Sequence, residues 1–203
     1  MKYHNITKDD MLNGDGLRTV LWVSGCNHYC VGCQNPMTWD HNDGLVFDDD
    51  AKKEIFDQLG QDYIAGVTLS GGDPLHPANY AEIKQLIDEI KERYPNKTVW
   101  LYTGDVWENI MNDAIVQKID VLVDGEFVLA KKDNNLMWKG SSNQRVIDVQ
   151  RTLQQEDISK PVLHCGDYEQ DNYLSGGGSH QEQVRDMKRE NARLQCAKRR
   201  HCR

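Results

Sequence analysis

The sequence lacks any run of about 18 or more apolar residues, the length that a membrane-spanning helix requires. Its first residues, Met1 to Asn5, also lack the apolar stretch of a secretory signal peptide. These two absences predict a cytoplasmic protein without a membrane partner. In that compartment the six cysteines are better interpreted as thiols or metal ligands than as a disulfide framework.

Positive charge is also in short supply. The chain of 203 residues has 24 lysines and arginines against 32 aspartates and glutamates, which gives a formal net charge of −8. From Asp171 onward the chain carries +4, so the preceding residues carry −12. Nucleic-acid-binding proteins usually present a basic face to the phosphate backbone. The composition therefore argues against nucleic acid as a partner.

Short apolar segments alternate with helical patterns along most of the chain. The predicted strands are residues 17–24, 66–70, 98–103, 119–123 and 145–149. Helices are predicted after the aspartates at residues 48–50, over residues 78–94 and over residues 106–117. This alternation indicates parallel strands joined by right-handed crossovers. It leaves two architectures open, a doubly wound open sheet and a partial version of the eight-stranded barrel.

The last part of the chain differs in composition. Residues 175–179 read Ser-Gly-Gly-Gly-Ser, which is typical of a flexible linker, and a stretch rich in Lys, Arg and Glu follows. We therefore expect a folded domain at residues 1–168 and a mobile or artificially added tail at residues 169–203. Cys165 is interpreted as a buried or free thiol, and Cys196 and Cys202 are assigned to no site.

Three cysteines stand close together directly after the first predicted strand. Cys26, Cys30 and Cys33 have the spacing C-x3-C-x2-C, so one loop can place three thiolates around one metal centre. A structural zinc site needs four protein ligands, and His28 or His41 could supply the fourth. Alternatively, three thiolates can hold an iron–sulfur cubane whose fourth iron remains free to bind a small molecule.

A second motif follows the second predicted strand. Ser70-Gly71-Gly72-Asp73-Pro74 should lie at the same sheet edge as the cysteines, because parallel strands end together. Paired glycines let the backbone approach a ligand closely. The Asp73 carboxylate could accept a hydrogen bond from an amino group. The two motifs together are more specific than either one alone.

This pair of motifs resembles the signature of the radical S-adenosylmethionine enzymes, C-x3-C-x2-C followed by GGE/D-P at a strand end. Within that family, the sequence is similar to the activating components of anaerobic, class III ribonucleotide reductases. The stretches that carry the closer similarity are residues 12–16, 24–28, 32–36, 69–77, 121–125 and 138–145.

The resemblance implies a radical-S-adenosylmethionine fold, a partial (β/α) barrel of about five to six parallel strands. It implies that Cys26, Cys30 and Cys33 ligate three irons of a [4Fe-4S] cluster, while the fourth iron chelates S-adenosylmethionine. Gln34 stands where many members of the family carry an aromatic residue. The implied contacts to the cofactors are Gly32, Cys33, Gln34, Gly71, Gly72, Asp73, Ser141 and Asn143.

The resemblance also implies an activity. The reduced cluster would cleave S-adenosylmethionine, and the 5′-deoxyadenosyl radical would take a hydrogen atom from a glycine of the reductase, leaving a glycyl radical. Such chemistry is anaerobic and needs an electron donor such as a flavodoxin. Two alternatives remain at this point. The chain could activate another glycyl-radical enzyme such as pyruvate formate-lyase, or it could be a zinc-stabilised adaptor without catalysis.

Overall fold

The computed structural model describes residues 1–164, of which Met1–Val162 form one compact unit. The described residues do not include Cys165, the predicted domain boundary at residue 168, or the tail with Cys196 and Cys202. None of the described helices is long and apolar enough to cross a membrane.

A seven-stranded mixed sheet forms the centre of the fold. Its spatial order is β3-β1-β2-β4-β5-β6-β7. Strands β2, β4, β5 and β6 are parallel, whereas β1, β3 and β7 join antiparallel at the two sides. The strands are β1 (Lys2–Asp10), β2 (Leu17–Val23), β3 (Leu45–Val46), β4 (Ile64–Gly71), β5 (Thr98–Tyr102), β6 (Val121–Asp124) and β7 (Arg145–Asp148).

The predicted α/β class is confirmed, but the prediction of five to six parallel strands is wrong. Among residues 1–164, four strands are parallel, and the sheet that they form is open. The segment predicted at residues 145–149 runs antiparallel to its neighbour β6. A parallel return would need a crossover, usually a helix, and residues 125–144 contain only a 3-10 turn at Leu129–Lys131.

In the described part of the chain, four helices connect or flank the strands. They are α1 (Asp49–Leu59), α2 (Pro77–Arg93), α3 (Trp107–Ile110) and α4 (Val149–Leu153). Asp48 caps α1 by accepting a hydrogen bond from the Ala51 N–H, as the run of aspartates predicts. The helix predicted at residues 106–117 is much shorter than expected. The Asp113 carboxylate accepts from the backbone N–H of Ile115 at 2.8 Å and thereby competes with helix hydrogen bonds.

A row of leucines crosses the four parallel strands. Leu21, Leu69, Leu101 and Leu122 lie side by side in register, and each is fully buried. Burying a leucine contributes about 1.5–3 kcal/mol relative to leaving it exposed. On the opposite face, Trp138 packs edge-on against Trp100 with their ring centroids 5.0 Å apart. These contacts hold the strands in fixed register, and the register fixes the loops at the strand ends.

Candidate functional site

The loops at the carboxyl ends of β2 and β4 meet at one edge of the sheet. The backbone N–H of Gly72 donates to the Val23 carbonyl at 2.8 Å, and that of Asp73 donates to the Gly25 carbonyl at 2.7 Å. A methyl group on Gly72 would lie 2.5 Å from the same Gly25 carbonyl oxygen, so only glycine permits this approach. The structure therefore brings the cysteine loop and the GGDP loop into direct contact.

Backbone hydrogen bonds order part of the cysteine loop. The Cys26 N–H donates to the Trp39 carbonyl at 3.0 Å, and the Cys33 N–H donates to the Cys30 carbonyl at 3.1 Å. The Cys33 Sγ accepts from the Asn35 N–H at 3.3 Å. All three cysteines are free thiols of intermediate burial. Gly32 and Gln34, the two implied contacts beside Cys33, are exposed.

Burial raises the pKa of the Cys26 and Cys30 thiols. Nearby negative charge raises it further: Asp73 and then Cys30 act on Cys26, and Glu126 and then Cys33 act on Cys30. Backbone N–H groups oppose this shift at both sulfurs. A bound metal deprotonates its cysteines, which would reverse this shift. Three free cysteines on one loop, with backbone N–H donors at their sulfurs, fit an iron–sulfur cluster.

Asp73 is only 4% exposed, and its carboxylate already has partners. Oδ1 accepts from the Leu75 N–H at 2.8 Å. Oδ2 accepts from the Thr103 hydroxyl at 2.8 Å and contacts the His28 Nε2 at 2.8 Å. The carboxylate therefore fixes the GGDP loop, and a ligand amino group would have to share Oδ2 with these donors.

His28 bridges two carboxylates. Its Nε2 lies 2.8 Å from Asp73 Oδ2, and its Nδ1 lies 3.0 Å from Glu126 Oε1. The hydrogen bond with Asp73, supported by the one with Glu126, raises the pKa of His28 to about 9. Both ring nitrogens of His28 therefore already have carboxylate partners. His41, the other suggested zinc ligand, stacks on His76 with ring centroids 5.6 Å apart.

Asn79 is a site residue that the sequence reasoning missed. Its side chain is 1% exposed, and Nδ2 donates to the carbonyls of Ser24 at 2.8 Å and Asp73 at 3.0 Å. One amide therefore ties the end of β2 to the GGDP loop. An asparagine in the first turn of the helix that follows the motif was the available signal.

Ser141 and Asn143 occupy different places. Ser141 is fully buried, and its Oγ accepts from the Val128 N–H at 3.1 Å, so it supports the loop. Asn143 Nδ2 donates to the Glu126 carbonyl at 2.8 Å. Asn143 and His28 both line a cavity of about 620 Å³ at the same sheet edge. Of the two implied contacts, Asn143 is thus the one that reaches open space beside the cysteine loop.

Acidic residues dominate the charged lining of this cavity, and one arginine balances part of their charge. Arg145 donates from Nη1 and Nη2 to the two Glu108 carboxylate oxygens, both at 2.8 Å, and from Nε to Asp124 Oδ1 at 3.1 Å. Asp105 and Glu126 also line the cavity. Burial, followed by the negative charge of Asp73, raises the pKa of Asp105.

Comparison with known proteins gives a consistent result. A family model described as 4Fe-4S single cluster domain matches residues 12–147. A protein of Enterobacteria phage T4 is 41% identical over 150 residues, covering 72% of this chain and 93% of its own length. A protein of Escherichia coli K12 is 43% identical over 150 residues (72% and 97%), and one of Haemophilus influenzae is 39% identical over 148 residues (71% and 96%). All three are named anaerobic ribonucleoside-triphosphate reductase-activating protein.

Proposed function

The chain belongs to the family of anaerobic ribonucleoside-triphosphate reductase-activating proteins, and we propose that it activates such a reductase by radical S-adenosylmethionine chemistry. Cys26, Cys30 and Cys33 would hold a [4Fe-4S] cluster, which when bound and reduced would supply the electron for cleavage of S-adenosylmethionine and so the radical that removes hydrogen from a reductase glycine. The observation that carries this proposal is that the loop with the three free cysteines Cys26, Cys30 and Cys33 lies directly against the GGDP loop, where the Asp73 N–H donates to the Gly25 carbonyl at 2.7 Å.

In this proposal, the residues of the chain bind the cluster and orient S-adenosylmethionine. Cys26, Cys30 and Cys33 supply the thiolates, and the backbone at Gly71 and Gly72 lies beside them in the GGDP loop. Gly32 and Gln34 flank the last cysteine on its exposed side, where we propose that they contact S-adenosylmethionine. We propose that Asn143 contacts S-adenosylmethionine from the cavity, while buried Ser141 supports the loop that carries Asn143. No general acid or base is required of them.

Exposed apolar side chains surround the cysteine loop. Tyr29 is 56% exposed, Val31 76% and Met37 67%. Exposed apolar side chains grouped in this way often mark sites of protein association. We propose that the glycine-bearing loop of the reductase enters over these residues and reaches the cofactor from the open side. A flavodoxin or a chemical reductant would supply the electron.

Anaerobic reconstitution with iron and sulfide tests the proposal. We expect about four irons per chain, the content of one cubane, and release of 5′-deoxyadenosine after reduction with S-adenosylmethionine present. Cys30→Ala should lose iron while keeping the wild-type far-ultraviolet circular dichroism spectrum. Cys165→Ala, a cysteine outside the motif, is the matched control and should retain iron. Stoichiometric zinc in place of iron, with Cys30→Ala unfolded, would support the adaptor hypothesis instead.

Partner identity needs a separate experiment. The reduced, loaded protein is mixed with anaerobic ribonucleotide reductase or with pyruvate formate-lyase, and each sample is frozen for electron paramagnetic resonance. We expect a glycyl-radical doublet with the reductase and none with the lyase. The reverse pattern would show that the reductase is the wrong substrate.

A further inference from the structure

His28 connects the carboxyl ends of all four parallel strands. It lies in the cysteine loop after β2, and its ring nitrogens contact Asp73 after β4 at 2.8 Å and Glu126 after β6 at 3.0 Å. Its ring also covers Gly104 after β5, where an added methyl group would lie 2.5 Å from ring carbon Cδ2. One side chain of the cysteine loop therefore touches the other three strand ends.

This contact distinguishes His28 from its neighbours in the loop. The His28 side chain is only 18% exposed, whereas the adjacent Asn27 and Tyr29 are exposed. Of the flanking cysteines, Cys26 is tied to Trp39 through its backbone and Cys30 accepts a hydrogen bond from the Phe127 backbone after β6, whereas His28 contacts the ends of β4, β5 and β6. His28 thus carries a tether from the middle of the loop to the rest of the sheet edge.

We propose that His28 is a positioning residue that holds the cysteine loop against the strand ends before any metal binds, so that the three thiols are presented together. The inference rests on the proposed function only in taking these cysteines as cluster ligands. Histidine suits this position because its ring carries a nitrogen on each of two sides and can reach two carboxylates at once, whereas an amide side chain carries its donors on one nitrogen. The flat ring also fits against Gly104, where a Cβ is absent.

Hydrogen–deuterium exchange of the metal-free protein tests this directly. In His28→Ala, exchange in the segment from residue 25 to 34 should accelerate about tenfold to a hundredfold, the factor expected for loss of one hydrogen bond to a charged group. Peptides from β4 should exchange as in the wild type, which separates loop release from general destabilisation. His4→Ala, which alters a partly buried histidine 4.0 Å from Asp43 and outside this site, should leave the loop unchanged.

Gly104→Ala supplies an independent perturbation, because the new methyl group must displace the His28 ring. Alone, it should accelerate loop exchange as His28→Ala does. Combined with His28→Ala, it should add nothing, because the ring with which it collides is gone. Additive effects of the two substitutions, equal acceleration in β4, or an unchanged loop in His28→Ala would each overturn the inference.

Iron loading gives a second measurement. After reconstitution, His28→Ala should require a higher S-adenosylmethionine concentration for half-maximal 5′-deoxyadenosine release than the wild type, with a smaller change in the maximal rate. Equal half-maximal concentrations would contradict the positioning role. If the wild type binds no iron at all, the proposed function fails, while the exchange measurement on the metal-free chain still decides the role of His28.

Discussion

Replacing Arg18 by leucine removes a fully buried guanidinium at the amino end of the parallel strands. The group donates from Nε to Thr68 Oγ1 at 2.8 Å and from Nη2 to the carbonyls of Val67 at 2.7 Å and Thr98 at 2.9 Å. Nη1 donates to Thr98 Oγ1 at 2.9 Å and to the Asp15 carbonyl at 3.1 Å. Burial lowers the pKa of Arg18 to about 9, so the group remains charged at neutral pH.

The expected loss of stability follows from these contacts. Leucine leaves three backbone carbonyls without this donor, and each unsatisfied buried acceptor costs roughly 1–3 kcal/mol. The buried leucine returns about 1.5–3 kcal/mol of apolar transfer free energy. The net prediction is a decrease in the free energy of unfolding of about 3 kcal/mol, within the range reported for breaking buried polar networks. Arg18→Lys keeps the charge with fewer donors and should lose less.

Urea unfolding followed by circular dichroism measures this difference. With an m value of about 2 kcal/mol/M, Arg18→Leu should lower the midpoint by about 1.5 M. Folded Arg18→Leu should still bind iron at the wild-type stoichiometry, because the substitution lies at the opposite end of β2 from the cysteine loop. A midpoint within 0.2 M of the wild type, taken as about 0.4 kcal/mol at that m value, would refute the reasoning.

Two further predictions concern packing and pH. Gly66→Ala should lower the melting temperature strongly, because its methyl group would lie 1.9 Å from the Thr98 carbonyl oxygen. Gly60→Ala, whose methyl group meets nothing closer than 3.5 Å, should change the unfolding free energy by less than about 0.5 kcal/mol, and equal melting temperatures for the two variants would contradict this. Hydrogen bonds from Arg145 lower the pKa of Glu108 from 4.5 to about 2, so its contribution to stability is complete above pH 4.5 and disappears as the pH falls through 2. In urea unfolding across that range, the stability difference between wild type and Glu108→Gln should shrink with falling pH, and a constant difference would exclude the effect.

The four parallel strands were predictable because each is a short apolar run that a glycine or aspartate terminates. Strand β1 was not, because Lys2–Asp10 reads KYHNITKDD and shows no apolar alternation. The antiparallel direction of β7 could not be predicted either, because the apolar pattern of a strand does not show in which direction it runs beside its neighbour. That orientation depends on the connection through residues 125–144, which returns without a helix.

The candidate site divides in the same way. The spacing of Cys26, Cys30 and Cys33 identified their loop, and strand order placed it beside Asp73. The partners of His28 could not be read from the sequence, because they lie 45 and 98 positions away and depend on the folded strand ends. Residues 12–16, which carry part of the family resemblance, lie at the other end of the sheet. There, a methyl group on Gly14 would meet Arg18 Cδ at 2.7 Å, which links this stretch to stability.

The two ends of β2 thus have separate roles, which can be compared with the variants Arg18→Leu and His28→Ala. Arg18 is the second residue of β2, and Val23, five positions later, is its last. At about 3.3 Å per residue, this is about 16 Å, beyond the reach of a hydrogen bond or a packing contact. Contacts at the Arg18 end should therefore set the stability of the sheet, while contacts at the His28 end should set the order of the cysteine loop. If Arg18→Leu accelerated exchange in the loop before it unfolded the sheet, the strand would transmit the change, and this separation would be wrong.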